Sequence, residues 1–247
     1  MASSSVAGAV TTRRECSAEG IALTIRYVLF DLDDTLLERD AGFAHFCREL
    51  YHTSGVMSDT HTEDEAVALM VELDAEGMRS RQEFFQDVMR QWPGVFRDVP
   101  QAIEVYLSSY PEMLILAAPT RALLEDVQEA AIPAAIVTNG GSAMQGRKID
   151  ASGLRGLVDA VVISEELGVA KPDPRIFEHA MARIGAVAAD SLFVGDNPEA
   201  DILGAKGIGM HAAWLRRGRE WRYDDDRPDY ILDDISAVRE LVFPDGR

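Results

Sequence analysis

Arg26-Tyr-Val-Leu-Phe-Asp-Leu-Asp-Asp-Thr-Leu-Leu37 is the stretch that decides the fold. Its apolar run, residues 27–30, reads as a buried β-strand that delivers Asp31 and Asp33 to its carboxyl end. In an open α/β sheet that end is where ligands bind. Two acids crowded there repel each other, and desolvating them is costly unless a cation or a proton joins them. Taken alone, the segment also fits a strand followed by an Asp-rich turn. An EF-hand loop fits worse, because Leu36 stands where that loop needs its glycine.

Working outward, 247 residues leave room for one large domain or for a core with a smaller insert. A composition of 47% hydrophobic and 27% charged residues is that of an ordinary globular chain. The formal charge of −18 argues against broad contact with nucleic acid or an anionic membrane. An anionic substrate must therefore be held by local cations. Cys16 and Cys47 form no CxxC, which fits a reducing, cytoplasmic setting. The five histidines form no HxxxH or Cys/His cluster, so a zinc site is not expected. No apolar run approaches the length of a membrane span. Residues 1–24 are expected to be a disordered extension. Their start is Ser/Ala-rich and has no acid before Glu15, a composition shared with transit peptides, but 6–10 is too short for a secretory core.

The rhythm of the chain changes twice. Residues 43–115 show no convincing strand, and their apolar residues recur at helical spacing: Val67, Met70 and Val71; Phe84, Phe85, Val88 and Met89; Ile103, Val105, Tyr106 and Leu107. Breaks fall at Gly55, Pro93-Gly94 and Tyr110-Pro111, so this segment is expected to be an all-helical insert, a cap. Residues 25–42 and 116–247 then form the α/β core. Helices are expected at 120–131, 142–152, 174–184, 198–206 and 235–241, and strands at 134–137, 158–163, 192–194, 209–215 and 230–232. Strands alternating with such helices predict βαβ units and a doubly wound parallel sheet. The basic stretch Arg216, Arg217, Arg219 and Arg222, beside Trp214 and Trp221, reads as a solvated edge loop.

Three further strand ends carry polar residues. Thr138-Asn139-Gly140-Gly141 offers a hydroxyl, a carboxamide and free N–H groups at a helix entrance, which would suit phosphate oxygens, although an ordinary Asn-Gly turn fits as well. Lys171 stands in a proline-stiffened loop, Ala170-Lys-Pro-Asp-Pro174. Asp196 follows the apolar stretch 192–194, and Asp201 lies in the first turn of the next helix. Gly207-Ile-Gly-Met-His-Ala212 spells GxGxxA but leaves a helix and enters a strand, the reverse of the dinucleotide fingerprint. No P-loop motif occurs.

Together the four strand ends supply acid-x-acid, Thr-Asn-Gly, Lys-Pro and Gly-Asp-x-x-x-x-Asp in one chain order, and by these motifs the chain resembles the haloacid dehalogenase (HAD) superfamily. The likeness covers about residues 25–242, and the stretch 163–177 is similar to the branch of pyrimidine 5′-nucleotidases and acylneuraminate-9-phosphatases. The resemblance implies an Mg²⁺-dependent phosphatase working on a small phosphorylated metabolite, a nucleotide or a sugar phosphate. Asp31 would be the nucleophile that forms an aspartyl-phosphate, and Asp33 the acid and base. Asp31 and Asp196 would bind the metal with their carboxylates, and Asp33 with its backbone carbonyl. Thr138, Asn139 and Lys171 would balance phosphoryl charge, with Asp201 behind them orienting the metal's water or Lys171. Asp34 is expected to be a loop residue.

Asp33 speaks against the dehalogenase reading, since displacing halide needs no proton donor. The lysine-free insert speaks against phosphonate hydrolysis through an imine. A phosphomutase and a phosphate-binding module without catalysis both remain open. Specificity is expected from the cap, where His45, Arg79 and Arg81 are candidates only by polarity and position. A monomer and a homodimer are equally compatible with the sequence.

Overall fold

The structure is a computed structural model that describes residues 10–12, 25–223 and 226–244. Contacts divide the chain into two compact units, residues 38–115 and the remainder on either side of them. The helical unit therefore opens at Glu38 rather than at residue 43, because its first helix already begins at Arg39.

The inserted unit holds four helices: α1 (Arg39–Ser54), α2 (Glu63–Asp74), α3 (Arg81–Gln91) and α4 (Val99–Ser109). Local chemistry sets the ends. Thr62 and Glu65 form a reciprocal capping box at α2, Ser80 and Asp98 cap α3 and α4, and Gly55 closes α1 in the left-handed region at φ 69°. The core between these helices is aromatic: Phe43, Phe46, Phe84, Phe85, Tyr106 and Tyr110 are buried and meet largely edge to face. Arg81 spans this core with its guanidinium over the rings of Phe43, Phe84 and Tyr106. Arg81 and Arg39 both pair with the buried carboxylate of Asp74. Arg79 pairs with Asp87, and His45 faces Glu49. Arg79 and Arg81 are thus engaged in ion pairs within the unit itself.

The other unit is built on a seven-stranded sheet: β1 (Val10–Thr12), β2 (Tyr27–Phe30), β3 (Ala134–Thr138), β4 (Ala160–Ile163), β5 (Ser191–Gly195), β6 (His211–Leu215) and β7 (Tyr230–Leu232). The order is β1-β7-β6-β5-β2-β3-β4, parallel throughout except for β1, which runs antiparallel along β7. Most of the expected extension, Cys16 included, lies outside the described residues, and Val10–Thr12 within it form this edge strand. The helices are α5 (Ala118–Glu129), α6 (Ser142–Ser152), α7 (Ser164–Leu167), α8 (Pro174–Ile184), α9 (Gly204–Gly207) and α10 (Val238–Val242).

The central strands are buried on both faces, which is why they read as unbroken apolar runs. Leu29, Ala135, Val137 and Phe193 pack with Ile176, Phe177 and Ala180 of α8 and with Ala205 of α9. The alternate residues Val28, Phe30, Ile136 and Val194 point to the opposite face and are equally buried. The fold is a doubly wound α/β sheet with an inserted helical unit. One expected helix differs in kind: residues 198–206 form a π-helical segment, Pro198–Leu203, that continues into α9. Asp201, within this segment, is buried. Among the described residues no helix is long and apolar enough to cross a membrane.

Candidate active site

Strand order places the chemistry. β2 lies between β5 and β3, and the parallel register sets Phe30 beside Val194 and Ile136. Thr138 at the end of β3 and the residues just past these strands (Asp31 and Asp33, Asp196, Asn139) therefore emerge at one edge of the sheet. The Asp31 N–H still donates to Val194 O at 2.9 Å, so the nucleophile candidate leaves its strand on a fixed backbone. Beyond it the chain turns tightly. Asp34 takes the left-handed region at φ 58°, its N–H donates to Leu37 O, and Arg217 donates to its carbonyl at 3.1 Å.

Lys171 is the pivot. Its Nζ lies 2.6 Å from Asp31 Oδ1 and 2.7 Å from Asp201 Oδ1, and all three groups are buried. One oxygen each of Asp31, Asp196 and Asp201 lie within 4.8 Å of one another. Burial pushes the Asp31 carboxyl well above the usual carboxylate range, with Lys171 pulling it back and the neighbouring acids adding to the rise. Burial likewise raises Asp196 to about 6, reinforced by Asp201 and opposed by Arg219. Burial acts to lower Lys171, but Asp201 and Asp31 more than offset it and hold the ammonium above its ordinary range. A close approach makes this possible. A Cβ at position 195 would collide with the Asp201 carboxylate, so only glycine lets that acid sit under the strand end. The Asn197 N–H then donates to Asp201 Oδ2 at 2.9 Å.

Three carboxylates are faced by two cations, Lys171 and Arg219, so with all three acids ionised the cluster carries a net negative charge. Hard carboxylate oxygens at this spacing are a donor set that fits a small divalent cation.

The second group is built on α6. Asn139 is locked against the lysine loop: Lys171 N–H donates to its Oδ1 at 2.8 Å, and its Nδ2 donates to Lys171 O at 3.0 Å. Its carboxamide is thus spent on positioning Lys171. The Gly140 N–H donates to Ser164 Oγ at 2.9 Å, and Gly140 has φ 140°, a value that requires glycine. Thr138 Oγ1 accepts from Gln145 Nε2 at 2.6 Å. The Asp33 carboxylate stands apart from the acid cluster. Lys148 Nζ lies 2.8 Å from both its oxygens, and Gln145 Nε2 donates to Oδ2 at 2.9 Å.

Several residues of the site have no motif behind them. Gln145 and Lys148 fall one turn apart on α6, on the face that meets the site. In sequence they look like ordinary helix residues, and their buried positions alone would have been the signal. The basic loop after β6 needs correction. Arg219 is not simply solvated: its Nη2 donates to Asp196 Oδ2 at 2.8 Å and to Asp196 O at 2.7 Å, a carbonyl that also accepts from the Trp214 indole. Arg217 holds the Asp34 turn, and Trp214 packs edge-on against Trp221.

Comparison with known proteins agrees with this geometry. The model of the haloacid dehalogenase-like hydrolase family matches residues 25–209. A glyceraldehyde 3-phosphate phosphatase of Methanothermobacter thermautotrophicus is 30% identical over 230 residues, 88% of this chain and 100% of the relative. Another, of Methanopyrus kandleri, is 37% identical over 145 residues, and there the match spans 56% of this chain and only 59% of the relative. Among solved structures, the HAD-hydrolase YfnB of Bacillus subtilis superposes with a TM-score of 0.73 at 24% identity, covering 89% of this chain and 99% of that one, a likeness of fold. The strand-end acids, the lysine loop and the family match agree, and the chain belongs to the haloacid dehalogenase-like hydrolases.

Proposed function

We propose that the protein is a Mg²⁺-dependent phosphomonoester hydrolase that acts on a small phosphorylated metabolite through an aspartyl-phosphate. The observation that carries this reading is the buried Asp31 carboxylate at the end of β2, gripped by Lys171 and flanked by Asp196 and Asp201. Relatives named as phosphatases of small metabolites support the substrate class.

Asp31 presents one oxygen to phosphorus while Lys171 fixes the other. In-line attack breaks the P–O bond to the leaving group, and Asp33 gives that oxygen a proton. Asp33 then takes a proton from water, which attacks the aspartyl-phosphate and returns Asp31 and inorganic phosphate. Lys171, with the Thr138 hydroxyl, faces the charge that develops on the phosphoryl oxygens. Asn139 acts one step back by holding the lysine backbone. Mg²⁺ would be held by the carboxylates of Asp31 and Asp196 and the backbone carbonyl of Asp33, with Asp201 beside them, and would supply positive charge to the same phosphoryl oxygens.

The test is hydrolysis of 4-nitrophenyl phosphate by protein dialysed against EDTA. Activity is expected to be absent, to return with Mg²⁺, to be inhibited by Ca²⁺ with its looser shell, and to be abolished by Asp31→Asn. Full turnover in EDTA, or in Asp31→Asn, would overturn the mechanism. A screen of nucleotides, sugar phosphates and triose phosphates at fixed Mg²⁺ then identifies the substrate.

A further inference from the structure

The Asp33 carboxylate carries an arrangement that its acid-base role does not by itself require. Lys148 is almost fully withdrawn from solvent, its side chain 5% exposed, while the aspartate that it meets stays 24% exposed. Burying an ammonium is costly, and such a pair is weak as a device for stability. Here the desolvated partner is the lysine, and the group left open to the site is the acid. Gln145 adds the second constraint. Its single Nε2 bridges Asp33 Oδ2 at 2.9 Å and Thr138 Oγ1 at 2.6 Å, and it too is buried. Both side chains rise from one face of α6, whose N-terminus follows directly on Thr138-Asn139-Gly140.

Asp33 sits on a turn past β2, and its carboxylate is held from α6 by Lys148 and Gln145. Two proton transfers at opposite stages of the reaction need its carboxyl at one place, because small displacements of a reacting group are costly in rate. Resting on the hydrolase reading above, we propose that Lys148 and Gln145 are positioning residues for Asp33. They hold its carboxylate in one orientation, and they tie it through Gln145 to the threonine that faces the phosphoryl group. Both act through the Asp33 carboxylate rather than on the phosphoryl group.

The test is a double-mutant cycle read by rapid quench with 4-nitrophenyl phosphate and by steady-state kinetics with glycerol 2-phosphate, a poor leaving group. Lys148→Met is expected to lower kcat by on the order of 10²-fold on the alkyl ester, with KM within about twofold. It should also raise the fraction of enzyme trapped as aspartyl-phosphate. Lys148→Arg, whose fork can engage a carboxylate through two bonds, should recover part of the loss. In the Asp33→Asn background, Lys148→Met should cost almost nothing further, because its partner is already disabled. Losses that multiply in the double variant, or an unchanged phosphoenzyme fraction in Lys148→Met, would overturn the proposal. If Lys148→Met fails to fold, Gln145→Leu is read in the same cycle with the same criteria. A parent enzyme that hydrolyses the aryl ester without any covalent species would strike the underlying mechanism instead.

Discussion

Lys171 Nζ lies 2.6 Å from Asp31 Oδ1, and the two residues are 140 positions apart in the chain. The contact joins the end of the first central strand to a loop that follows β4, and both groups are buried. With Arg219, Lys171 is one of the two cations that offset the three crowded acids.

Lys171→Met therefore removes more than a substrate contact. A buried charge left without its partner typically costs roughly 3–5 kcal/mol, so urea denaturation in EDTA should show a loss of that size. Activity should fall by about 10²–10³, the usual effect of deleting one donor to a developing oxyanion. Mg²⁺ should restore part of the stability and little of the rate. A variant as stable as the parent in EDTA would show that Lys171 does not balance the acids.

The raised carboxyls give the pH dependence its sign. Asp196 titrates at about 6 in the fold, and Asp31 is raised as well, against about 3.9 for an unperturbed aspartate. Groups raised on folding contribute stability at pH below about 4, and that contribution is lost as pH climbs through the folded value. Metal-free protein should thus lose stability from this source between pH 4 and about 6. Mg²⁺ relieves the repulsion only where the acids are ionised. Its upward shift of Tm should accordingly be larger at pH 7.5 than at pH 5.0 by scanning fluorimetry. An equal shift at both values would place the metal elsewhere.

Arg219 competes for the same acid. Its guanidinium donates to Asp196 Oδ2 at 2.8 Å from a side chain that is partly exposed. Arg219→Gln removes a positive charge beside the metal position, so Mg²⁺ affinity measured by calorimetry should rise, by about two- to fivefold for a surface-screened charge. Weaker binding would mean that Arg219 orients Asp196 for the cation.

How much was legible in the sequence follows from how each signal is encoded. The central strands and the helices 142–152 and 174–184 were legible because burial on both faces and clear end signals, such as Asp173-Pro174 and Gly185, act locally. Asp31, Thr138, Lys171 and Asp196 were legible as motifs at strand ends. Lys148, Gln145 and Arg219 were not. Their partners lie 115, 112 and 23 residues away, and nothing in a helix or a basic loop says which side chain will face a distant acid. The π-helical turn at Pro198–Leu203 escaped for the same reason, since its apolar spacing is that of an ordinary helix.

In the helical unit the Asp74 carboxylate joins Arg39 and Arg81 and caps the Gly77 N–H. Asp74→Asn would leave two guanidiniums facing each other in a largely dry site, at a cost of roughly 3–5 kcal/mol. Hydrogen exchange should report lost protection across residues 38–115, with β2, β3 and β5 unaffected. Uniform loss over the whole chain would mean that the two units unfold as one.

Asp33 supplies the sharpest test of the chemistry. Asp33→Asn keeps the nucleophile but removes the proton donor and base, which typically costs ~10²–10⁴ in rate. An aryl phosphate leaves readily and needs little protonation, so phosphorylation of Asp31 should survive better than dephosphorylation, which still needs water to be activated. Rapid quench should then trap more aspartyl-phosphate in Asp33→Asn than in the parent, whereas Asp31→Asn should trap none. Asp33→Asn also leaves the buried Lys148 ammonium without its counter-charge, so its stability is measured beside its rate, and the phosphoenzyme fraction is read on folded protein. Identical behaviour of the two variants, with no covalent species in either, would remove Asp31 as nucleophile and Asp33 as acid-base together.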